Sequence, residues 1–239
     1  MKTYQGKTIC EGFAAGKPLI YQRTITEPVR LQITDVKEQL ERLNKAKLTA
    51  MDQLNLLREK ALTTLGKDQA MIFESHIAIL EDPEFHQSIT LRIESESINA
   101  EYAVLEASRE YADFFDSMGD PFLAERGSDV EDVARRLIAC LASDQNTQVT
   151  PLEFESGKKY ILCAEELTPS EALSLRPDAV LAILLAYGSP TTHASILAKS
   201  KNIPAIIGLG PEFLTDLSED TLLLVNASDG AVIIEPTEQ

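Results

Sequence analysis

The sequence predicts a discontinuous α/β domain interrupted by an inserted all-α helical bundle. Three observations carry this prediction. Short apolar pieces punctuated by glycine fill residues 6–21. From Thr34 to about Ala142, apolar residues recur every three or four positions, the period of an amphipathic helix. After Asn146, short apolar runs alternate with capped helical segments, as in an α/β unit. Two opening strands are rarely stable alone, so they are assigned to the later sheet. The expected domains are 1–30 with 146–239 for the α/β part and 31–145 for the insertion.

Residues 6–21 read as two short strands with a turn. The first helix carries the stripe Val36, Leu40, Leu43, Lys47, Ala50, Leu54, Leu57, Ala61 and Leu65, with Lys47 its only charged member. Asp35 or Thr34 can cap its start and Gly66 can end it. A second helix spans about Asp68 to Leu80. Asp82-Pro83 and Asp120-Pro121 each place an acid at the cap and proline in the first turn of a helix. Between those two, Asn99 opens a helix that Met118-Gly119 closes. The last helix presents Val130, Val133, Leu137, Ile138 and Leu141 to the core. Beyond it, Lys159–Ala164 is a strand and Thr168-Pro-Ser-Glu171 a capping box. Strands follow at 179–186, Ile203–Ile207 and Thr221–Asn226, and Asp229-Gly230 turns into a closing strand.

Composition narrows the function classes. The chain has 239 residues, 44% hydrophobic and 25% charged, a globular balance. A net charge of −16 argues against nucleic acid and anionic membrane surfaces and suits a basic protein partner. Cys10, Cys140 and Cys163 form no metal-ligand spacing and no pairing pattern, so a reducing cytoplasm is expected and no metal site. There is no signal-peptide pattern and no apolar run of bilayer length.

The stretch Gly188-Ser-Pro-Thr-Thr-His193-Ala-Ser-Ile-Leu-Ala-Lys199 stands where a buried strand hands over to a helix. Free amides and the helix dipole favour an anion there. By spacing alone His193 has two readings: a hydrogen-bonded structural residue, or a nucleophile that carries a phosphoryl group. A reference imidazole, with a pKa of about 6.5, is mostly neutral near pH 7 and therefore nucleophilic.

This stretch, followed by Asn202-Ile-Pro-Ala-Ile-Ile-Gly208, resembles the phosphohistidine motif of enzyme I, the phosphoenolpyruvate-protein phosphotransferase of the bacterial sugar phosphotransferase system. The resemblance extends to Gly12-Phe-Ala-Ala-Gly-Lys17, Phe73–Asp82 and Glu125–Val130. It implies a swivelling phosphohistidine β/β/α domain with a helical HPr-binding insertion. It also implies a phosphotransferase in which His193 Nε2 exchanges phosphate with HPr or an HPr-like domain. Phosphoenolpyruvate and Mg²⁺ are implied only for a C-terminal domain beyond Gln239, so this fragment is expected to be a monomer that needs no cofactor. The enzyme-I-like module of the dihydroxyacetone kinase phosphoryl donor is an alternative, which Gly188-Ser-Pro190 also resembles. A non-catalytic HPr-binding module is another.

Thr168 and Ser170 are candidates to hold His193 Nδ1; Ala172 stands where the family often has a threonine. Gly188 and Ser189 form the loop, in which Pro190 removes an amide donor. Thr191, Thr192 and Ser195 are candidate phosphate donors or helix caps, with capping favoured for Thr192. Lys199 replaces the family's arginine, as a phosphate cation or a solvated helix lysine.

Between Lys67 and His86 five acids face one lysine. Asp68, Glu74, Asp82 and Glu84 are expected to form an acidic rim around exposed Phe85, Phe115 and Phe122, which would steer and dock a basic partner. His76 lies in the segment that resembles the docking helix, where a structural role is favoured over partner contact. Arg126 either pairs with neighbouring acids or, as the resemblance implies, approaches the transferred phosphate.

Overall fold

A computed structural model describes residues 2–22, 27–142, 154–155, 157–190 and 192–235; of Asp68, Pro121, Phe122, Ala124 and Glu125 it describes the backbone alone. The chain forms two compact units, Met1–Thr24 with Thr150–Gln239, and Ile25–Val149.

The discontinuous unit opens with four strands where two were expected: β1 (Lys2–Gln5), β2 (Lys7–Cys10), β3 (Phe13–Gly16) and β4 (Pro18–Tyr21). Each has only four residues, too few for an alternating pattern to be legible. Nor do they join one sheet. β2 and β4 become the edges of a five-stranded sheet with β5 (Tyr160–Ala164), β6 (Val180–Leu185) and β7 (Ala205–Ile207), in the order β2-β7-β6-β5-β4. β1 and β3 become the edges of a four-stranded antiparallel sheet with β8 (Leu223–Asn226) and β9 (Ala231–Ile234), in the order β1-β9-β8-β3.

Alternation along the strands explains the layering. Ile161, Cys163, Ala182 and Leu184 share one core cluster with Leu223, Val225, Val232 and Ile234 of the other sheet. Their neighbours Leu162, Ala164, Ile183 and Leu185 point the other way and are also buried. α6 (Pro169–Ser174) and α7 (His193–Lys201) pack on each other, and α7 packs against β2, giving the third layer. A short α8 (Pro211–Thr215), absent from the sequence reading, lays Phe213 and Leu214 into the inter-sheet cluster. At five residues it has no readable period.

The continuous unit is helical: α1 (Val36–Thr64), α2 (Lys67–Glu81), α3 (Pro83–Glu96), α4 (Ala100–Ser117) and α5 (Pro121–Ala142). Asp35 caps α1, accepting from Glu38 N at 3.0 Å. Leu65 is the C-cap of α1, and Gly66 follows it at φ +99°, its N–H donating to Ala61 O at 3.1 Å, so it ends α1 as expected and also serves as the N-cap position of α2. Leu43, Ala46, Ala50, Leu54 and Ala61 bury the seam of α1. Small residues there let α2 and α5 approach.

One polar cluster ties three helices. Buried Gln39 accepts from Ala100 N at 3.1 Å and from Arg42 Nη1 at 2.8 Å, so α1 caps α4 in place of the Asn99 side chain. Arg42 also pairs with Glu101 and donates to Leu141 O at 3.2 Å. Arg42→Met would remove the Glu101 carboxylate's cation and the donor to Leu141 O in a largely dry place, while Gln39 Oε1 keeps Ala100 N. Urea denaturation of the helical unit is expected to show a loss of about 2 kcal/mol.

His86 titrates against the fold. Burial, and secondarily the Lys47 ammonium, holds its imidazole below the ordinary value. The folded state therefore prefers the neutral ring. This contribution is complete above the unfolded value, about 6.5, and is lost as pH falls through the lower folded value. Between pH 7 and 5 the melting temperature of the parent is expected to fall more steeply than that of His86→Gln; parallel curves would contradict this.

Candidate functional site

Thr192 at the N-cap position has extended geometry (φ −63°, ψ 152°), and His193 is the first residue of α7. Thr192 sits where capping was expected, yet its side chain makes no cap bond. Its hydroxyl and that of Ser195 converge instead on the Ser189 carbonyl, at 3.0 and 2.8 Å, and stand 3.0 Å from each other. Thr192 N reaches the same carbonyl at 3.2 Å. One oxygen thus collects three donors and pins the loop before the helix. The first intrahelical bond at this end is Ile196 N to Thr192 O, at 3.0 Å. The amides of the first turn precede it, so they have no intrahelical acceptor and receive no cap from Thr192. Gly188 starts the loop at φ +120°, a region that side-chain-bearing residues rarely adopt. Ser195 is buried and His193 half-buried.

The neighbouring α6 carries the other candidates. Its capping box is complete: Thr168 N donates to Glu171 Oε2 at 2.7 Å, and Glu171 N donates to Thr168 Oγ1 at 3.2 Å. Tyr21 donates to the other Glu171 oxygen at 2.7 Å, tying β4 to the box. Thr168 Oγ1 is therefore an acceptor here, and its own proton is left to donate. Ser170 is half-buried, and Ala172 is buried with no hydroxyl to offer. Lys199 stands six residues beyond His193, about 9 Å along the axis. It is exposed in the last turn, where a cation complements the helix dipole. Thr191 lies outside the described residues.

On the helical unit, Met71, Glu74, Ser75, Ala78, Ile79 and Asp82 of α2 line an open hollow with Arg126 of α5. The spacing of three and four residues along α2 would have revealed Met71, Ala78 and Ile79 as an outward strip, and Met71 is 54% exposed. One expectation is corrected and one open reading is decided. Phe85 is not an exposed anchor: it is 2% exposed and stacks edge-on against Tyr111 at 5.3 Å, because it faces inward one turn into α3. His76 takes the structural place favoured for it and not a direct partner contact: it is 1% exposed, on the side of α2 that faces α5. Asp82 serves as the cap of α3, accepting from Glu84 N and Phe85 N at 2.8 and 2.9 Å. Glu74 and Glu84 are exposed, and Phe115 is half-buried against Phe114, which is 57% exposed and went unremarked in the sequence. The side chains of Asp68 and Phe122 lie outside the described set.

Comparison with known proteins now adds to this geometry. Residues 5–126 match the family described as PEP-utilising enzyme, N-terminal, and residues 156–230 match the PEP-utilising enzyme, mobile domain. The phosphoenolpyruvate-protein phosphotransferase of Priestia megaterium is 31% identical over 238 residues, 100% of this chain and 41% of that protein. The chain belongs to the enzyme I family of PEP-utilising enzymes. The corresponding protein of Geobacillus stearothermophilus is 30% identical over 100% of this chain and 40% of its own length. This enzyme I-family chain thus spans about two fifths of the curated relatives it matches. A solution NMR structure of Enzyme I (nEIt) superposes with a TM-score of 0.75 at 28% identity, covering 98% of this chain and 94% of that one. The N-terminal domain of Enzyme 1 - Nitrogen shares the fold at a TM-score of 0.62 and 20% identity, over 98% and 94% of the two chains. The mobile-domain match contains His193 and its loop, and the N-terminal match contains the α2 hollow.

Proposed function

We propose that the chain is a phosphohistidine carrier of the enzyme I type, in which His193 exchanges a phosphoryl group with a histidine of HPr or an HPr-like domain docked on the helical unit. One observation carries this reading: His193 is the first residue of α7, so its ring stands beside the positive end of a helix.

In the transfer, the Nε2 lone pair of His193 attacks phosphorus opposite the partner's nitrogen. The new N–P bond forms as the partner's N–P bond breaks, and the partner imidazole leaves with the electron pair. The equatorial oxygens are stabilised by the α7 amides, so the protein contributes position and fixed dipoles rather than covalent chemistry. His193 Nδ1–H donates to the Thr168 hydroxyl oxygen, which keeps a second lone pair beyond the capping box, and this fixes the tautomer that leaves the Nε2 lone pair free; Ser170 is the second candidate. Thr192 and Ser195 act through the loop, by clamping Ser189. On the helical unit, the strip from Met71 to Asp82 offers an apolar centre with an acidic rim to a basic partner.

Incubation with phosphorylated HPr followed by intact mass tests the reading. The expected result is one phosphoryl group on the chain, lost on brief acid treatment and stable in base. A chain that stays unmodified, with HPr still phosphorylated, rejects it.

A further inference from the structure

We propose that His76 is a positioning residue for partner docking, which holds the Asp129 carboxylate so that Arg126 is set at the wall of the α2 hollow. This rests on the reading that a phosphocarrier docks on the helical unit.

The imidazole of His76 is 1% exposed, between α2 and α5. A carboxylate stands at each ring nitrogen: Asp129 Oδ1 is 3.4 Å from Nε2, and Asp132 Oδ2 is 3.9 Å from Nδ1. An apolar residue would fill the same seam without desolvating a polar ring, so packing alone does not call for this arrangement. Asp129 also reaches outward, its Oδ2 lying 3.8 Å from Arg126 Nη1. A carboxylate gripped at one oxygen has little torsional freedom, and the second oxygen stays on the arginine side. Alone, an ion pair one turn apart on a surface helix contributes little. Anchored from below by a buried ring, it becomes a prearranged donor.

Arg126 is the one cation among the described residues lining the hollow, where Glu74 and Asp82 supply the acids. The acids meet a basic partner surface; the held guanidinium meets the anionic group which that surface carries. The sequence hides this chain of contacts because its members lie 53 positions apart.

Steady-state transfer from phosphorylated HPr separates docking from chemistry. His76→Leu and Asp129→Asn are expected to raise KM about tenfold and to leave kcat within about twofold. His76→Gln keeps a donor toward Asp129 and is expected to recover most of the lost KM. An unchanged KM in His76→Leu overturns the proposal, and so does a His76→Gln that behaves like His76→Leu, which would mark a packing role. Calorimetric binding of unphosphorylated and phosphorylated HPr, in a His193→Ala background, needs no transfer. There, His76→Leu is expected to weaken the phosphorylated form about tenfold and the unphosphorylated form less; equal affinities before and after the change overturn the proposal. If the His76 effect on binding appears while the parent chain takes up no phosphate, the carrier reading fails and this one stands.

Discussion

His193→Ala is expected to take up no phosphate from phosphorylated HPr, under conditions where the parent chain becomes fully modified. The effect is total because nothing else near the start of α7 offers the same chemistry. The hydroxyls of Thr192 and Ser195 are committed to Ser189 and are poor nucleophiles without a base. Folding is not the issue: His193 is half-buried at the first position of α7, where alanine is tolerated, and Thr192 and Ser195 hold the Ser189 carbonyl. The decisive readout is therefore modification at unchanged melting temperature. His193→Ala should still bind HPr, since docking is assigned to the other unit. A variant that retains acid-labile phosphate would move the acceptor to another histidine, and only His76 and His86 remain.

The second large effect is structural. At Gly6 the chain leaves one sheet for the other, and a Cβ there would lie 2.5 Å from the Ile207 carbonyl oxygen and 2.6 Å from Ile206 Cγ2. The facing residue, Gly230, accepts from Gly6 N at 2.9 Å. A backbone oxygen cannot rotate away, so β2 and β7 must separate to admit a methyl group. Gly6→Ala is expected to cost about 3–4 kcal/mol. Gly208→Ala is the informative control: its φ is +71° but nothing lies within 4 Å of the added carbon. Only backbone strain acts there, about 1–2 kcal/mol. Amide exchange at Ile206 and Ile207 distinguishes the two, with protection collapsing in Gly6→Ala alone. Similar losses in both variants would mean that conformation, and not space, decides at Gly6.

The local signals in this chain were legible because they act over a few residues. Asp35, Asp82-Pro83 and Thr168-Pro-Ser-Glu171 each place an acceptor or a proline where a helix must begin, and the structure uses all three. The helical period from Val36 to Ala142 and the strand–loop–helix order around His193 are of the same kind. Phe85 and His76 show the limit. Both sit on amphipathic helices at positions that spacing leaves ambiguous, and only the packing of α2 and α3 against their neighbours turned them inward.

The sequence by itself determined where the long helices start and that a histidine stands where a buried strand hands over to a helix, since caps, periods and turns are properties of neighbours along the chain. The tertiary structure alone decided that the opening strands divide between two sheets, that α2 and α5 bring His76 to Asp129, and that Gly6 meets Gly230. Those outcomes depend on which surfaces remain to be covered once distant segments pair, and no local pattern encodes them.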